Sequence, residues 1–337
     1  MSRKAVEGGW SAEPKPPAGA TGKRVAVLGA GAAGVSAAAA LASYGHTVTL
    51  FEQGAAPGGV ARETIPAERL PDSIIQQEIE DVLAASGAVT RRYGARLGRS
   101  YTLDQVLAEG YDAVLVALGL SESVRLPAAG KPPSGVVGAL EFLREVKAGR
   151  QVSGTVLVLG GGNTAIDAAL SARRAGAADV SIVYRRSFTE MPAWPDERDQ
   201  AIRVGVNFLI LTQPLAYVVD AEGRLTSLQV IRTRLGAAGA DGRRIPEAIP
   251  GSEHMLPADL VIEAIGQRVG EELKAALTGV RLTRSGLVWT KEGTLETSRE
   301  GVFAAGDIIN GGATVVQAVA EGARAAREMD GYVRGSV

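Results

Sequence analysis

The 337-residue sequence has no cysteine. That absence excludes disulfide scaffolds, dithiol redox centres, thiolate nucleophiles and cysteine-ligated iron–sulfur clusters from anything these residues can build. Histidine is nearly absent too, with two residues. His46 reads as part of a surface turn and His254 lies in the polar stretch GSEHMLP, so both are expected to be structural rather than catalytic. There is no excess of either charge: 36 Lys and Arg stand against 37 Asp and Glu, which leaves no global field to gather polyanions and argues against nucleic acid as a partner. Nor is there a run of about 18 strongly apolar residues to span a membrane. The N-terminal stretch, with Pro14, Pro16 and Pro17 near Trp10, has no basic region followed by an apolar core and reads as a linker. A cytoplasmic protein is expected. The hydrophobic fraction of 46% over this length is enough for two medium cores.

Regular structure is expected to begin at Arg24. Val25-Ala26-Val27-Leu28 is a short apolar run that ends at glycine, as a strand buried on both faces does. Gly29-Ala30-Gly31-Ala32-Ala33-Gly34 follows in a G-x-G-x-x-G pattern, then a helix rich in small residues from Ala32 to Tyr44 with Gly45 placed to end it. Thr47 to Phe51 reads as the next strand, and Glu52 stands 23 positions after Gly29, followed by Gln53. The first glycine of such a turn permits the tight bend, the second lets backbone approach a pyrophosphate, and the third lets helix and strand pack closely. Free amides and the helix dipole hold the negative charge, and the acid accepts hydrogen bonds from a ribose diol. A glycine-tolerant loop in an ordinary α/β protein is the plain alternative.

The same grammar returns at Thr155, where Val156-Leu157-Val158-Leu159 runs into Gly160-Gly161-Gly162, an alanine-rich helix to Ala175 and a strand from Val180 to Tyr184. Gly160, Gly162 and Ala165 give a G-x-G-x-x-A variant, and Asn163 is placed to cap the helix. No acid follows this strand; Arg185 and Arg186 stand there instead. A carboxylate would repel a ribose 2′-phosphate, whereas guanidinium groups bind it bidentately, so the difference points to NADP, with a solvated arginine turn as the alternative. Near the C-terminus Gly301-Val302-Phe303-Ala304-Ala305-Gly306-Asp307 reads as a strand delivering an aspartate to a loop before a helix that starts near Thr314. Such an aspartate can hold a ribitol hydroxyl, or simply cap a turn. Trp194 either shields the nucleotide or makes an exposed contact.

Together these motifs resemble the pyridine-nucleotide-dependent flavoprotein oxidoreductases, and within them the family of the glutamate synthase small subunit and the N-terminal half of dihydropyrimidine dehydrogenase. The resemblance runs through six ordered segments: TGKRVAVLGAGAAG, PGGVARETIPAERLP, YDAVLVALG, VLVLGGGNTAID, VYRRSFTEMPA and GVFAAGDIINGGATVVQAVAEG. It implies an α/β fold of two Rossmann-like dinucleotide-binding domains, of the glutathione and thioredoxin reductase type, with the NAD(P) domain inserted into the FAD domain. The expected boundaries are a linker over 1–22, a first FAD part over 23–150, an NAD(P)H domain over 151–290 and a second FAD part over 291–337. By resemblance Gly29, Gly31, Gly34, Glu52 and Gln53 hold the adenine half of FAD, and Gly59, Arg69, Gly119, Gly306, Asp307 and Thr314 lie along its flavin half. Gly160, Gly162, Asn163, Thr164, Arg185 and Arg186 hold NADPH, and Gly266 marks the return toward the flavin domain.

Two departures stand out. Members that pass electrons to partner subunits usually begin with a cysteine-rich iron–sulfur domain, where this sequence has the linker-like EGGWSAEPKPPAGATGK. Glu63-Thr64 occupies the place where the family more often has tyrosine-glycine. The activity expected is transfer of hydride from NADPH to FAD, then of electrons to an acceptor or partner protein, with no catalytic acid, base or metal required. The alternatives are a flavin monooxygenase, disfavoured because no F-x-G-x-x-x-H stretch lies between the glycine motifs, and a non-catalytic dinucleotide-binding subunit. Thioredoxin reductase chemistry is excluded by the missing dithiol.

Overall fold

The computed structural model describes residues 18–120, 122–127, 132–239 and 242–335. Most of the proline-rich stretch read as a linker, residues 1–17 with Trp10, lies outside the described residues. The chain divides into two compact units. The first ends at Arg62, resumes over Asp72–Leu120 and returns at Val269, while the second holds Glu63–Pro71 and Ser121–Arg268.

The first unit opens with β1 (Arg24–Leu28), α1 (Ala32–Ser43), β2 (Thr47–Phe51), most of α2 (Gly59–Thr64), whose last two residues belong to the second unit, α3 (Asp72–Ala85), β3 (Val89–Arg92), α4 (Leu103–Ala108) and β4 (Ala113–Val116). The second contains β5 (Glu122–Ser123), β6 (Val136–Gly138), α5 (Ala139–Lys147), β7 (Thr155–Leu159), α6 (Asn163–Arg174), β8 (Asp179–Tyr184), α7 (Pro195–Arg203) and β9 (Asn207–Ile210). It continues through β10 (Thr212–Val219), β11 (Leu225–Ala238), β12 (Arg244–Ala248), β13 (His254–Pro257), β14 (Leu260–Glu263) and β15 (Gln267–Arg268). The first unit is completed by α8 (Glu271–Ala276), β16 (Val302–Ala304), α9 (Asp307–Asn310) and α10 (Val315–Arg334).

Each unit is built on a five-stranded parallel sheet, ordered β16-β4-β1-β2-β3 in the first and β6-β14-β7-β8-β9 in the second. In both, the strand that precedes the glycine turn lies at the centre. Successive side chains of a strand point to opposite faces, and the cores follow that rule. Val25 and Val27 pack with α1 and α10 on one face, while Ala26 and Leu28 join Leu103, Val106 and Leu277 on the other. In the second unit Val156 and Val158 serve one core and Leu157 and Leu159 the other. Strands buried on both faces need continuous apolar runs, which is why RVAVL and TVLVL carry no alternation. The second unit also has an antiparallel sheet, β10-β11-β12 with β13 on β11.

The boundaries differ from those expected at 150 and 290. Residues of 121–150 go with the second unit because β6 pairs with β14 and because Ala139 and Phe142 of α5 enter its core. Val269, Leu277, Val280 and Val288 belong to the first because they fill the core under Ala26 and Leu28. A Rossmann sheet takes its edge strands from distant sequence, so composition alone does not mark the crossing. Among the described residues no helix is long and apolar enough to cross a membrane.

His46 is not at the surface. It is 4% exposed, and its ring joins Thr21 Oγ1 at 2.7 Å through Nδ1 and Asp330 Oδ1 at 2.8 Å through Nε2. It ties the chain before β1 to the last turns of α10. His254 is exposed, with Nδ1 3.0 Å from the carbonyl of Ser252. We expect His46→Ala to destabilise the first unit by about 1–3 kcal/mol, since it deletes a buried ring and the two hydrogen bonds that link Thr21 to Asp330, and His254→Ala to stay within about 0.5 kcal/mol. Urea titration of both variants checks this, and equal midpoints would contradict the latch.

Candidate functional site

The first site is built where β1 meets α1. Gly29 has φ +102°, and a Cβ there would lie 2.4 Å from the carbonyl oxygen of Ala117. A Cβ on Gly34 would lie 1.8 Å from the oxygen of Gly29. Both positions therefore require glycine for sterics alone. Gly31 differs, since a Cβ there meets nothing within 4 Å. It is the N-cap of α1, and no side chain bonds the first-turn amides. That leaves donors at a helix N-terminus over open space, the arrangement that takes a pyrophosphate.

Glu52 closes this turn. It is 6% exposed, with Oε2 accepting the Ala30 amide at 2.9 Å and Oε1 the Gly54 amide at 2.7 Å. A carboxylate has about four lone-pair sites, so two remain for ribose hydroxyls. Gln53 beside it is exposed. Gly58 donates to the Ala30 carbonyl at 2.8 Å, and a Cβ on Gly59 would stand 3.0 Å from the Cα of Gly31. Gly119, with φ +61°, lies just beyond the end of β4.

The C-terminal segment supplies the rest of this site. Gly306 has φ +81°, and Asp307 Oδ1 accepts the Ala313 amide at 3.1 Å. Burial, with the neighbouring Glu321 charge adding to it, pushes the Asp307 carboxyl above its ordinary value. Thr314 is the N-cap of α10, its hydroxyl accepting the Gln317 amide at 3.1 Å. The groups present suit a dinucleotide whose flavin half carries hydroxyls.

The second site repeats the geometry. Gly160 has φ +133°, with a Cβ placed 2.2 Å from the Ala264 carbonyl oxygen, and Gly162 is open as Gly31 is. Gly162, not Asn163, is the N-cap of α6. Asn163 is the first helical residue, and its Oδ1 accepts the amide of Trp194 at 3.2 Å, holding the following loop together with the Ala193 to Gly161 bond of 3.0 Å. Trp194 itself is 54% exposed, and Thr164 is half-buried beside Asn163.

Arg185 is exposed at the end of β8, while Arg186 is buried, with Nε donating to the Arg244 carbonyl at 2.8 Å. Arg244 in turn donates to the carbonyls of Gly236 and Leu235 at 3.2 and 2.7 Å. The antiparallel sheet thus props the arginine pair, a contribution the sequence reading missed. Gly266, with φ +137°, accepts the Val124 amide at 2.9 Å.

Arg69 belongs with the second unit. Nη1 donates to both oxygens of Asp167 at 2.8 and 3.0 Å, and Nη2 to Glu197 at 2.5 Å. Burial pushes both carboxyls above their ordinary values, against the pull of Arg69. The segment around it is tied down by Glu63 to Arg144 at 2.7 Å and by Lys147 Nζ to the Ile65 carbonyl at 2.9 Å. Asp167 and Glu197 were not singled out from sequence; the available signal was an acid standing among the alanines of α6.

Residues 23–322 match the family described as pyridine nucleotide-disulphide oxidoreductase. The chain belongs to that family. As a member without cysteine, it cannot form a dithiol from its own residues. Among relatives in this family, the NADP(+)-dependent formate dehydrogenase subunit beta of Moorella thermoacetica is 42% identical over 319 residues, covering 93% of this chain and 44% of the relative. The glutamate synthase [NADPH] small chain of Escherichia coli is 34% identical over 344 residues, covering 97% and 72%. The chain thus spans less than half of the first relative's length.

Among solved structures, FprA of Mycobacterium tuberculosis in complex with NADPH superposes with a TM-score of 0.76 at 18% identity, covering 96% of this chain and 85% of that one. Thioredoxin reductase of T. acidophilum gives 0.69 at 20%, covering 93% and 98%. The fold of this family member is the two-domain α/β fold they share.

Because burial disfavours the Asp307 charge, Asp307→Asn should raise the melting temperature of the cofactor-free protein. The sign follows from the raised value: the strain exists only where Asp307 is ionised. The gain should therefore be present at pH 7 and vanish as the pH falls through the folded-state value and the native carboxyl takes up its proton. Melting curves from pH 4 to 7 check it, and a variant less stable than the parent at pH 7 would contradict the cause assigned.

Proposed function

We propose that the chain is an FAD-dependent NADPH:acceptor oxidoreductase, with FAD on the first unit, NADPH on the second and a partner protein of the cytoplasm as the acceptor. One observation carries this reading. The two strand–turn–helix sites have the same backbone geometry and opposite charge after the second strand, Glu52 in one and Arg185-Arg186 in the other. An acid suits an unphosphorylated ribose and an arginine pair suits a 2′-phosphate. The names of the formate dehydrogenase subunit and the glutamate synthase small chain, which carry NADP(+) and NADPH, support the same assignment.

Bound together, the two cofactors supply hydride donation from the nicotinamide and hydride acceptance at the flavin. The chain's residues then have to bind, orient and keep water away. Amides at the start of α1 and α6 hold the pyrophosphates, Glu52 takes ribose hydroxyls, and Asp307 takes a hydroxyl of the flavin half. Arg185 and Arg186 hold the 2′-phosphate, and Gly59, Gly119 and Gly266 let backbone come close. The sequence has no thiol to form a dithiol, and bound FAD would supply the electrons that pass to the acceptor, which on this reading is a partner protein. The relatives named as a subunit and a small chain support a place in a larger assembly.

The purified protein should release FAD rather than FMN, identified by chromatography, and NADPH should bleach the flavin faster than NADH in stopped flow. Arg185→Ala should erode that preference by roughly tenfold or more, the loss of one charge-assisted contact of about 1.5–3 kcal/mol, with NADH little changed. Arg186→Ala should cost stability as well, because its guanidinium is buried on Arg244. Equal efficiency for the two nucleotides in the parent would refute the phosphate reading, and bound flavin that NADPH does not bleach would favour a non-catalytic subunit.

A further inference from the structure

Glu321 lies in the second turn of α10, and its carboxylate reaches back to the loop ahead of its own helix. Oε2 accepts the Gly306 amide at 2.9 Å, both oxygens accept Asn310 Nδ2 at 3.1 Å, and Oε1 accepts Gln317 Nε2 at 2.9 Å. Asn310 passes the constraint on, since its Oδ1 accepts the Gly312 amide at 2.9 Å. The loop is thus pinned at both ends of α9 by one side chain. Glycine is required where the pinning begins. Gly306 sits at φ +81°, and a Cβ there would come within 3.0 Å of the Ala33 Cβ.

The helix that carries Glu321 has no slack. At the next residue, Gly322, a Cβ would lie 2.1 Å from the Ala33 carbonyl oxygen, and Ser36 Oγ donates to the Val319 carbonyl at 2.8 Å. Within this unit α10 is therefore seated on the first turn of α1, and Glu321 is delivered to the loop by that crossing. The division of labour between the two acids follows. Glu321 takes the Gly306 amide and Asn310 Nδ2. Asp307 commits Oδ1 to Ala313, and its other oxygen has no partner among the described residues.

We propose that Glu321 is the positioning residue of the Gly306–Ala313 loop, holding Asp307 with one carboxylate oxygen presented to a hydroxyl of the flavin half of FAD. The inference rests on the reading that Asp307 binds that cofactor. Glu321 touches no cofactor; it acts through the loop.

The test uses full-length protein stripped of flavin and titrated with FAD. The readouts are the dissociation constant, the visible circular dichroism of the bound flavin and the melting temperature without flavin. Glu321→Ala should weaken FAD on the order of tenfold or more, the scale of a charge-assisted contact, and alter the flavin dichroism, a loss larger than any fall in the cofactor-free melting temperature accounts for. Glu321→Gln puts an amide donor opposite Asn310 and should fall between the two. Combining it with Asn310→Asp reverses the donor and acceptor roles and should restore most of the affinity and the parent dichroism. If Asp307→Ala weakens FAD but Glu321→Ala leaves it within about twofold, a small fraction of such a contact, the positioning role is overturned and the cofactor site stands. A fall in melting temperature in step with affinity, unrescued by the double variant, also overturns it. If Asp307→Ala leaves FAD binding unchanged, the site reading fails and the proposal falls with it.

Discussion

The molecule depends on a contact that admits no side chain. Where each central strand turns toward its helix, backbone meets backbone: a Cβ at residue 29 would stand 2.4 Å from the Ala117 oxygen, and one at residue 160 would stand 2.2 Å from the Ala264 oxygen. No rotamer relieves such an overlap, because both partners are main chain. The contact holds α1 and α6 so that their N-terminal amides open at the carboxyl ends of the parallel strands, where α/β sheets bind ligands. The buried runs RVAVL and TVLVL have to be apolar on both faces, since each sheet is covered on both sides, in the second unit by helices on one face and by the antiparallel sheet on the other.

On that common frame the two units differ by charge. In the first, Glu52 is folded into the turn and accepts two backbone amides, so its negative charge is fixed beside α1. In the second the equivalent edge carries Arg185 and Arg186, and the buried member is braced by the Arg244 carbonyl from an antiparallel sheet that the first unit does not share. Fixing an arginine in place costs conformational freedom when the protein folds rather than when it binds. The antiparallel sheet thus braces the arginine pair, even though none of its residues stands in the glycine motif.

How much of this was legible depends on how local the determining physics is. The turns at Gly29 and Gly160, and the Glu52 and Arg185-Arg186 positions, are short-range patterns of strand, glycine and helix, and the structure places them where the pattern put them. His46 was misread because its burial is made by Thr21 and by Asp330 of α10, partners that no window around residue 46 contains. The unit boundaries were misplaced for a related reason, since β6 joins its sheet by pairing with β14 across more than a hundred residues. Arg69 was legible as a charged residue in a family motif, but not as the partner of Asp167 and Glu197. The role of Glu321 in bracing the loop was invisible because its partners Gly306 and Asn310 lie outside its own helix.

The missing cysteines bear on more than the excluded dithiol. A member of the disulphide oxidoreductase family with no thiol keeps the two-unit α/β fold and cannot form a dithiol from its own residues. Acids in such a chain serve as acceptors and braces, and the structure uses them so: Glu52 on amides, Asp167 and Glu197 on Arg69, Glu321 on a loop. Asp307 is the exception in this set, half-buried, disfavoured as an anion and with one oxygen uncommitted. The constraint that keeps it in place is the α10 crossing at Gly322, the same kind of backbone contact that shapes the two turns.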